Sequence, residues 1–134
     1  MRYMLDTNIC IYLMRGSSKN LDARFASLRV GDACISSITL GELRVGVEKS
    51  PNRKADDKAL SALLEDLAVM AFDEPAAVSY GILRAAVPSR QRNALDRLIA
   101  AHALSLHATL VTNNEGDFSG YAGLTVENWA VPSN

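Results

Sequence analysis

Four acidic residues stand at positions where an acid needs a reason: Asp6, Glu42, Asp96 and Asp117. Asp6 closes the apolar pair Met4-Leu5 and opens Asp-Thr-Asn. Glu42 lies between Leu40 and Leu43, and Asp96 between Leu95 and Leu98, each at the margin of an apolar stripe. Asp117 follows Thr109-Leu110-Val111-Thr112 and the turn-forming Asn113-Asn114-Glu115-Gly116. Taken singly, each has an ordinary role. An aspartate before a helix caps its free N–H groups, and a glutamate beside a stripe is usually solvated. Taken together they imply different chemistry. Carboxylates within a few ångströms of each other repel by about 1 to several kcal/mol per pair, so a cation must offset them. Oxygen donors without Cys or His suit a hard divalent ion, Mg2+ or Mn2+, rather than zinc. Such ions generate hydroxide from water and clamp a phosphodiester for in-line displacement.

Hydrophobic periodicity shows which elements would carry these acids. Arg2 to Leu5 reads as a strand ending at Asp6, and Asn8 to Arg15 has helical spacing through Ile9, Tyr12 and Leu13. After Gly16-Ser17-Ser18, a second amphipathic stretch carries Leu21, Phe25 and Leu28. Ala33 to Ser36 reads as a strand, and Ser37 or Thr39 as the cap of a helix with Leu40, Leu43 and Val47 on one face. Pro51-Asn52 precedes a helix with Leu60, Leu63, Leu64 and Leu67. Val69 to Phe72 reads as a strand, and Glu74-Pro75 opens a further helix. The segment 88–93 is a polar, basic loop. Leu95 to Leu106 is the most regular helical pattern, Thr109 to Thr112 a buried strand, and Leu124 to Val126 a last one. Strands separated by helices imply an α/β sandwich with a mostly parallel sheet. In such sheets ligands sit beyond the carboxyl ends of the strands, which directs attention to Asp6, Ser36, Asp73 and Asn113.

Composition bounds the reading. The chain has 134 residues, 49% hydrophobic and 22% charged, enough for one domain (1–134) with its own core. Its 14 basic and 15 acidic residues give a net charge of -1, which excludes a polybasic nucleic-acid binder but not a local basic patch. Cys10 and Cys34 have no metal-ligand or disulfide spacing and read as buried free thiols. No apolar run approaches the roughly 18 residues of a membrane span, and the amino terminus lacks the pattern of a signal peptide. The expectation is a cytoplasmic protein without membrane contact.

Four ordered motifs carry a resemblance. Met4-Leu5-Asp6-Thr7-Asn8-Ile9, Ile35-Ser36-Ser37-Ile38-Thr39-Leu40-Gly41-Glu42-Leu43, Asp96-Arg97-Leu98-Ile99-Ala100-Ala101-His102-Ala103 and Leu110-Val111-Thr112-Asn113-Asn114 run in this order along the chain. With the closing Gly123-Leu124-Thr125-Val126-Glu127-Asn128-Trp129, the sequence resembles PIN-domain proteins, and among them VapC-type toxins of VapBC toxin–antitoxin pairs. The resemblance implies a three-layer α/β/α sandwich with a short, mostly parallel central sheet. It implies a Mg2+- or Mn2+-dependent endoribonuclease that inhibits translation, with Asp6, Glu42, Asp96 and Asp117 as metal-binding and catalytic acids. Thr7, Asn8, Thr112 and Asn113 would support the metal shell through hydrogen bonds. It also implies a VapB-type antitoxin that inserts a segment into the site, a homodimer or larger assembly, and promoter DNA reached only through the antitoxin. Two departures stand out. The loop before Asp96 is short and Arg-rich, and Glu115 competes with Asp117, which is preferred because it directly precedes Phe118.

Arg44, Arg90, Arg92 and Arg97 are candidates to bind RNA phosphates, each also readable as ordinary solvated charge. His102 reads as a core or interface residue, His107 as a cation at a helix carboxyl end, and Trp129 and Tyr121 as packing residues. Two alternatives are weighed. Asp6 could be the nucleophile of an aspartyl phosphatase, but Asn8 stands where that chemistry wants a second acid. Or the acids only cap helices, and the chain is a catalytically silent PIN-like binding module acting through its antitoxin in a DNA-bound repressor complex.

Overall fold

The computed structural model describes residues 2–87 and 94–131. Its first strand, β1 (Tyr3–Leu5), decides the layering. Successive strand side chains point to opposite faces, and here Tyr3 and Leu5 enter one buried cluster while Met4 enters another. The chain continues through α1 (Thr7–Arg15), α2 (Lys19–Ala26), β2 (Ala33–Ser36), α3 (Ser37–Lys49), α4 (Arg53–Leu64), β3 (Ala68–Met70) and α5 (Glu74–Ala86). It ends with α6 (Ala94–Ser105), β4 (Thr109–Val111), a 3-10 turn (Glu115–Phe118) and β5 (Val126–Glu127). The strand order is β3-β2-β1-β4-β5. Every pairing is parallel, so the expected mostly parallel sheet is parallel throughout the described residues.

Helices cover both faces. On one side Tyr3, Leu5, Ile35 and Val111 meet Ile9 and Cys10 of α1, Leu21 of α2, and Leu60 and Leu63 of α4. On the other, Met4, Cys34 and Leu110 meet Leu83 of α5 and Ile99, Ala100, Ala101 and Ala103 of α6. The small alanines let α6 lie close to the sheet. The third helix bridges the two layers, with Leu43 and Val47 in the first cluster and Ile38 against the second. Trp129 is buried and packs edge-on against Tyr3, with ring centroids 4.9 Å apart. Cys10 and Cys34 are buried free thiols, as expected. No helix among the described residues is long and apolar enough to cross a membrane.

Differences from the sequence expectations fall at element ends. The cap of α3 is Ser36, whose Oγ accepts the Ile38 N–H at 3.1 Å; neither Ser37 nor Thr39 takes that role, because strand passes into helix without a loop. The third strand spans residues 68–70 and not 69–72. Phe72 leaves the sheet, and its N–H donates to Ser37 Oγ at 3.0 Å. The last strand is Val126–Glu127, slightly later than expected. Gly16 ends α1 with φ 63°, a left-handed conformation that costs other residues strain.

The chain proceeds outward from β1 through β2 to β3, then returns to the other side of β1 for β4. Neighbouring connections therefore diverge between β1 and β4, which opens a crevice at their carboxyl ends. Leu5 pairs with Val111, so Asp6 and Thr112 emerge side by side at its floor. Core packing supports this geometry. Ile99→Ala should cost about 2–5 kcal/mol in urea unfolding, whereas Val45→Ala on the exposed face of α3 should stay within about 0.5 kcal/mol.

Candidate functional site

Asp6 is placed by two demands that coincide. It is the N-cap of α1, its Oδ1 accepting the Ile9 N–H at 2.9 Å, and it is the residue that leaves β1 at the crevice. Only 5% of it is exposed. Burial raises its carboxyl pKa, and the charge of Glu42 adds to the rise; hydrogen bonds from Thr112 and Ile9 oppose it. Thr112 is suited to that bond. Its Oγ1 accepts the Asn114 N–H at 3.0 Å, which leaves its own proton for Asp6.

Glu42 arrives from α3 and is partly buried. The Thr7 hydroxyl donates to its Oε1 at 2.7 Å, a bond between helices joined by residues far apart in sequence. Asp96 sits in the first turn of α6, where a negative charge is favoured by the helix dipole. Its carboxyl is nevertheless pushed up to about 6, first by burial and then by the charges of Asp6, Glu42 and Asp117. Asp96 therefore lies within electrostatic reach of the other three acids. Asp117, in the 3-10 turn, is exposed and hydrogen-bonded by the Asn114 side chain. Of the two candidate fourth acids, Asp117 adds to the rise at Asp96.

No ion pair among the described residues involves any of the four; the paired acids are Glu48, Asp57 and Glu127. Nor do three His, Cys, Asp or Glu side chains among them stand at the short separations of a coordination shell. The donor set fits a hard divalent cation: carboxylate oxygens, partly desolvated, mutually repulsive, and with hydroxyl and amide groups behind them to fix their directions.

The supporting residues separate. Thr7 and Thr112 engage Glu42 and Asp6 as just described. Asn113 turns away to give its Nδ2–H to the Tyr12 hydroxyl at 2.8 Å, with a buried Oδ1 left unpartnered among the described residues. Asn8 is exposed and makes no side-chain hydrogen bond there. Among the arginines, Arg44 is engaged by Asp57 at 2.6 Å and Glu48 at 3.3 Å, Arg97 is buried at 5% exposure, and Arg90 and Arg92 lie outside the described residues. A basic guanidinium that is buried or already paired offers little to a phosphate. Sequence reasoning missed Asn114 as the partner of Asp117, though the three-residue spacing was available as a signal. It also missed Tyr12 and the pairing of Ser36 with His102, which join residues with no sequence relation.

Comparison with known proteins follows the same outline. A PIN-domain family model matches residues 3–124. The chain is 36% identical over 132 residues to a tRNA(fMet)-specific endonuclease VapC from Shigella flexneri, covering 97% of this chain and 99% of the relative. It is 37% identical over 137 residues to ribonuclease VapC2 of Rickettsia felis, covering 96% and 98%. Among solved structures, VapBC2 from Rickettsia felis bound to a DNA fragment from their promoter superposes with a TM-score of 0.86 at 35% identity, over 96% of this chain and 99% of that one.

The raised Asp96 carboxyl has a consequence for stability. A carboxyl whose folded pKa lies above its unfolded value of 3.8 favours the fold at low pH, and that contribution is lost as pH rises through about 6. In the absence of metal, Asp96→Asn should therefore stabilise the protein at pH 7.5, by about 1–2 kcal/mol after allowance for solvent screening. At pH 4 it should give almost no gain. Urea unfolding in EDTA at the two pH values measures this.

Proposed function

The chain belongs to the PIN-domain family and to its VapC branch, and from that premise we propose that it is the toxin of a toxin–antitoxin pair, an endoribonuclease dependent on Mg2+ or Mn2+ whose cleavage of RNA inhibits translation. The observation that carries the reading is the convergence of Asp6, Glu42 and Asp117 on Asp96, with no cationic side chain paired to any of them among the described residues.

Asp6 and Asp96 would be the main metal ligands, with Glu42 and Asp117 completing the shell or orienting the attacking water. The bound ion would neutralise the phosphate and acidify that water for in-line attack. The remaining work belongs to the chain. Thr7 holds Glu42 in a fixed direction, Thr112 does the same for Asp6, and Asn114 holds Asp117. A carboxylate not engaged by the metal can take the proton of the water. The products would carry a 5′-phosphate and a 3′-hydroxyl. Arg90 and Arg92, in the loop before Asp96, are proposed to bind the flanking phosphates, which would make affinity fall with salt.

The partner is a VapB-type antitoxin, and an apolar groove of about 580 Å³ supports it. Leu13, Met14, Phe25, Leu28, Val30 and Leu63 line this groove between α1, α2 and α4. Val30 is fully exposed there, a surface that an amphipathic partner helix would cover. A smaller cavity shares Met14 and Ala59 with the groove and reaches Glu42, so a bound segment has a path to the acids. A homodimer, and promoter DNA contacted through the antitoxin, complete the proposed assembly, in keeping with the DNA-bound VapBC2 structure of Rickettsia felis.

Antitoxin-free protein incubated with total RNA and with tRNA(fMet), the substrate named for the Shigella flexneri relative, tests the reading. Cleavage should require Mg2+ or Mn2+, stop in EDTA, and yield discrete 5′-phosphate ends on sequencing. Asp6→Asn keeps a good cap for α1 but removes the charge, and should reduce cleavage about 100-fold or more. Folded, metal-supplied protein that cuts neither RNA, or an Asp6→Asn variant that cuts as well as the parent, would contradict it.

A further inference from the structure

One buried polar group lies outside the chemistry proposed above. His102 is 1% exposed, and its Nδ1 lies 2.8 Å from Ser36 Oγ. Its Nε2 has no hydrogen-bond partner among the described residues. The ring of Phe72 meets it edge-on, with centroids 5.4 Å apart. Burial lowers the imidazole pKa, and the opposing pull of Asp73 is smaller. A buried ring nitrogen without a hydrogen-bond partner destabilises a core, while an apolar side chain in its place would leave the Ser36 hydroxyl without a partner in turn. The polar ring therefore invites the question of what its one hydrogen bond holds.

It holds the joint between the helices that carry two of the acids. Ser36 is the last residue of β2 and the cap of α3, its Oγ accepting the Ile38 N–H while meeting the histidine. Glu42 lies six residues beyond Ser36 along α3, and Asp96 lies six residues before His102 along α6. At the helical rise, each acid is about 9 Å along its own helix from the pinned point. Helices of 12 and 13 residues transmit a shift at one turn to the next with little bending. Ser37 Oγ also accepts the Phe72 N–H at 3.0 Å, so the end of β3, the start of α3 and the middle of α6 form one bracket. Around it Ile38 of α3 packs against the cluster that holds Ile99 and Ala103 of α6, and the Ser36–His102 pair is the side-chain hydrogen bond among the described residues that joins the two helices.

We propose that the His102–Ser36 hydrogen bond sets the placement of Asp96 relative to Glu42, which makes His102 a positioning residue for the carboxylate site. This rests on the reading of those acids as ligands of a divalent ion, and it adds a residue that touches neither ion nor RNA.

The test compares His102→Leu, His102→Asn and His102→Gln with the parent protein. Asparagine places a polar atom near the position of Nδ1, glutamine near that of Nε2, and leucine places none. Mn2+ affinity is read from the electron paramagnetic resonance of free Mn2+, RNA cleavage from initial rates, and folding from thermal unfolding. In His102→Leu the apparent Kd for Mn2+ should rise about tenfold, the size of effect seen when the support behind a metal ligand is lost. Its kcat should fall with KM unchanged, while Tm should move little, because relief of the unpartnered Nε2 offsets the Ser36 hydroxyl left without its partner. His102→Asn should recover most of the Mn2+ affinity and His102→Gln should not; if the leucine variant does not fold, that contrast alone decides. Mn2+ binding within twofold of the parent in His102→Leu would overturn the positioning role, as would equal losses in the Asn and Gln variants. A parent protein that neither binds Mn2+ nor cleaves RNA would overturn the nuclease reading, and this inference with it.

Discussion

Like charges gathered in partly dehydrated surroundings raise the free energy of a fold, and four of them gather at one edge of this sheet. At an effective dielectric of about 20, two carboxylates 4 Å apart repel by about 4 kcal/mol. The effect is visible on Asp96, whose carboxyl is pushed up to about 6 by burial and by its three neighbours. Nothing else in the described structure asks for that arrangement. The other acids are solvated or paired with arginines, as Glu48 is with Arg53 and Asp57 with Arg44. The crevice is the place where the fold accepts a destabilising charge pattern, and a divalent cation is the species that would relieve it.

The fold accepts it through elements that have structural work of their own. Asp6 caps α1 through Oδ1, and a carboxylate keeps further lone pairs beyond the one that bond uses. Ser36 caps α3 and also meets His102; Thr112 supports the turn at Asn114 and also Asp6. In a parallel sheet each strand must hand over to a helix at its carboxyl end, so caps and site residues crowd the same edge. Opposing roles that compete on paper, a cap or a ligand, are here two uses of one carboxylate.

Much of this was legible in the sequence, for physical reasons. The short apolar strand ending at Asp6 was legible because both of its faces are buried, and the helix of Asp96 because Ile99, His102 and Ala103 recur on its buried side, although Leu95 at its start is exposed. Asp6 was legible twice over, as a cap and as an acid after a strand. Asp96 showed itself as a charge beside an apolar stripe. What stayed hidden depends on contacts between distant residues. Thr7 with Glu42 spans 35 positions, His102 with Ser36 spans 66, and Asn113 with Tyr12 spans 101, and no local pattern announces them. The engagement of Arg44 by two acids and the burial of Arg97 belong to the same class, since charge alone does not reveal whether a guanidinium faces solvent. Element ends moved by one or two residues where a side chain, such as Ser36 or Ser37, took a backbone N–H that a longer loop would have left to water.

Whether these carboxylates form a cation site is read most directly from the titration of Asp96, observed through its side-chain carbon by NMR. Without metal, Asp96 should titrate near 6, well above the ordinary aspartate value of 3.8. With saturating Mg2+ the same resonance should titrate below that ordinary value, because the ion favours the charged form. An Asp96 that titrates as an ordinary aspartate and does not respond to Mg2+ would contradict the account.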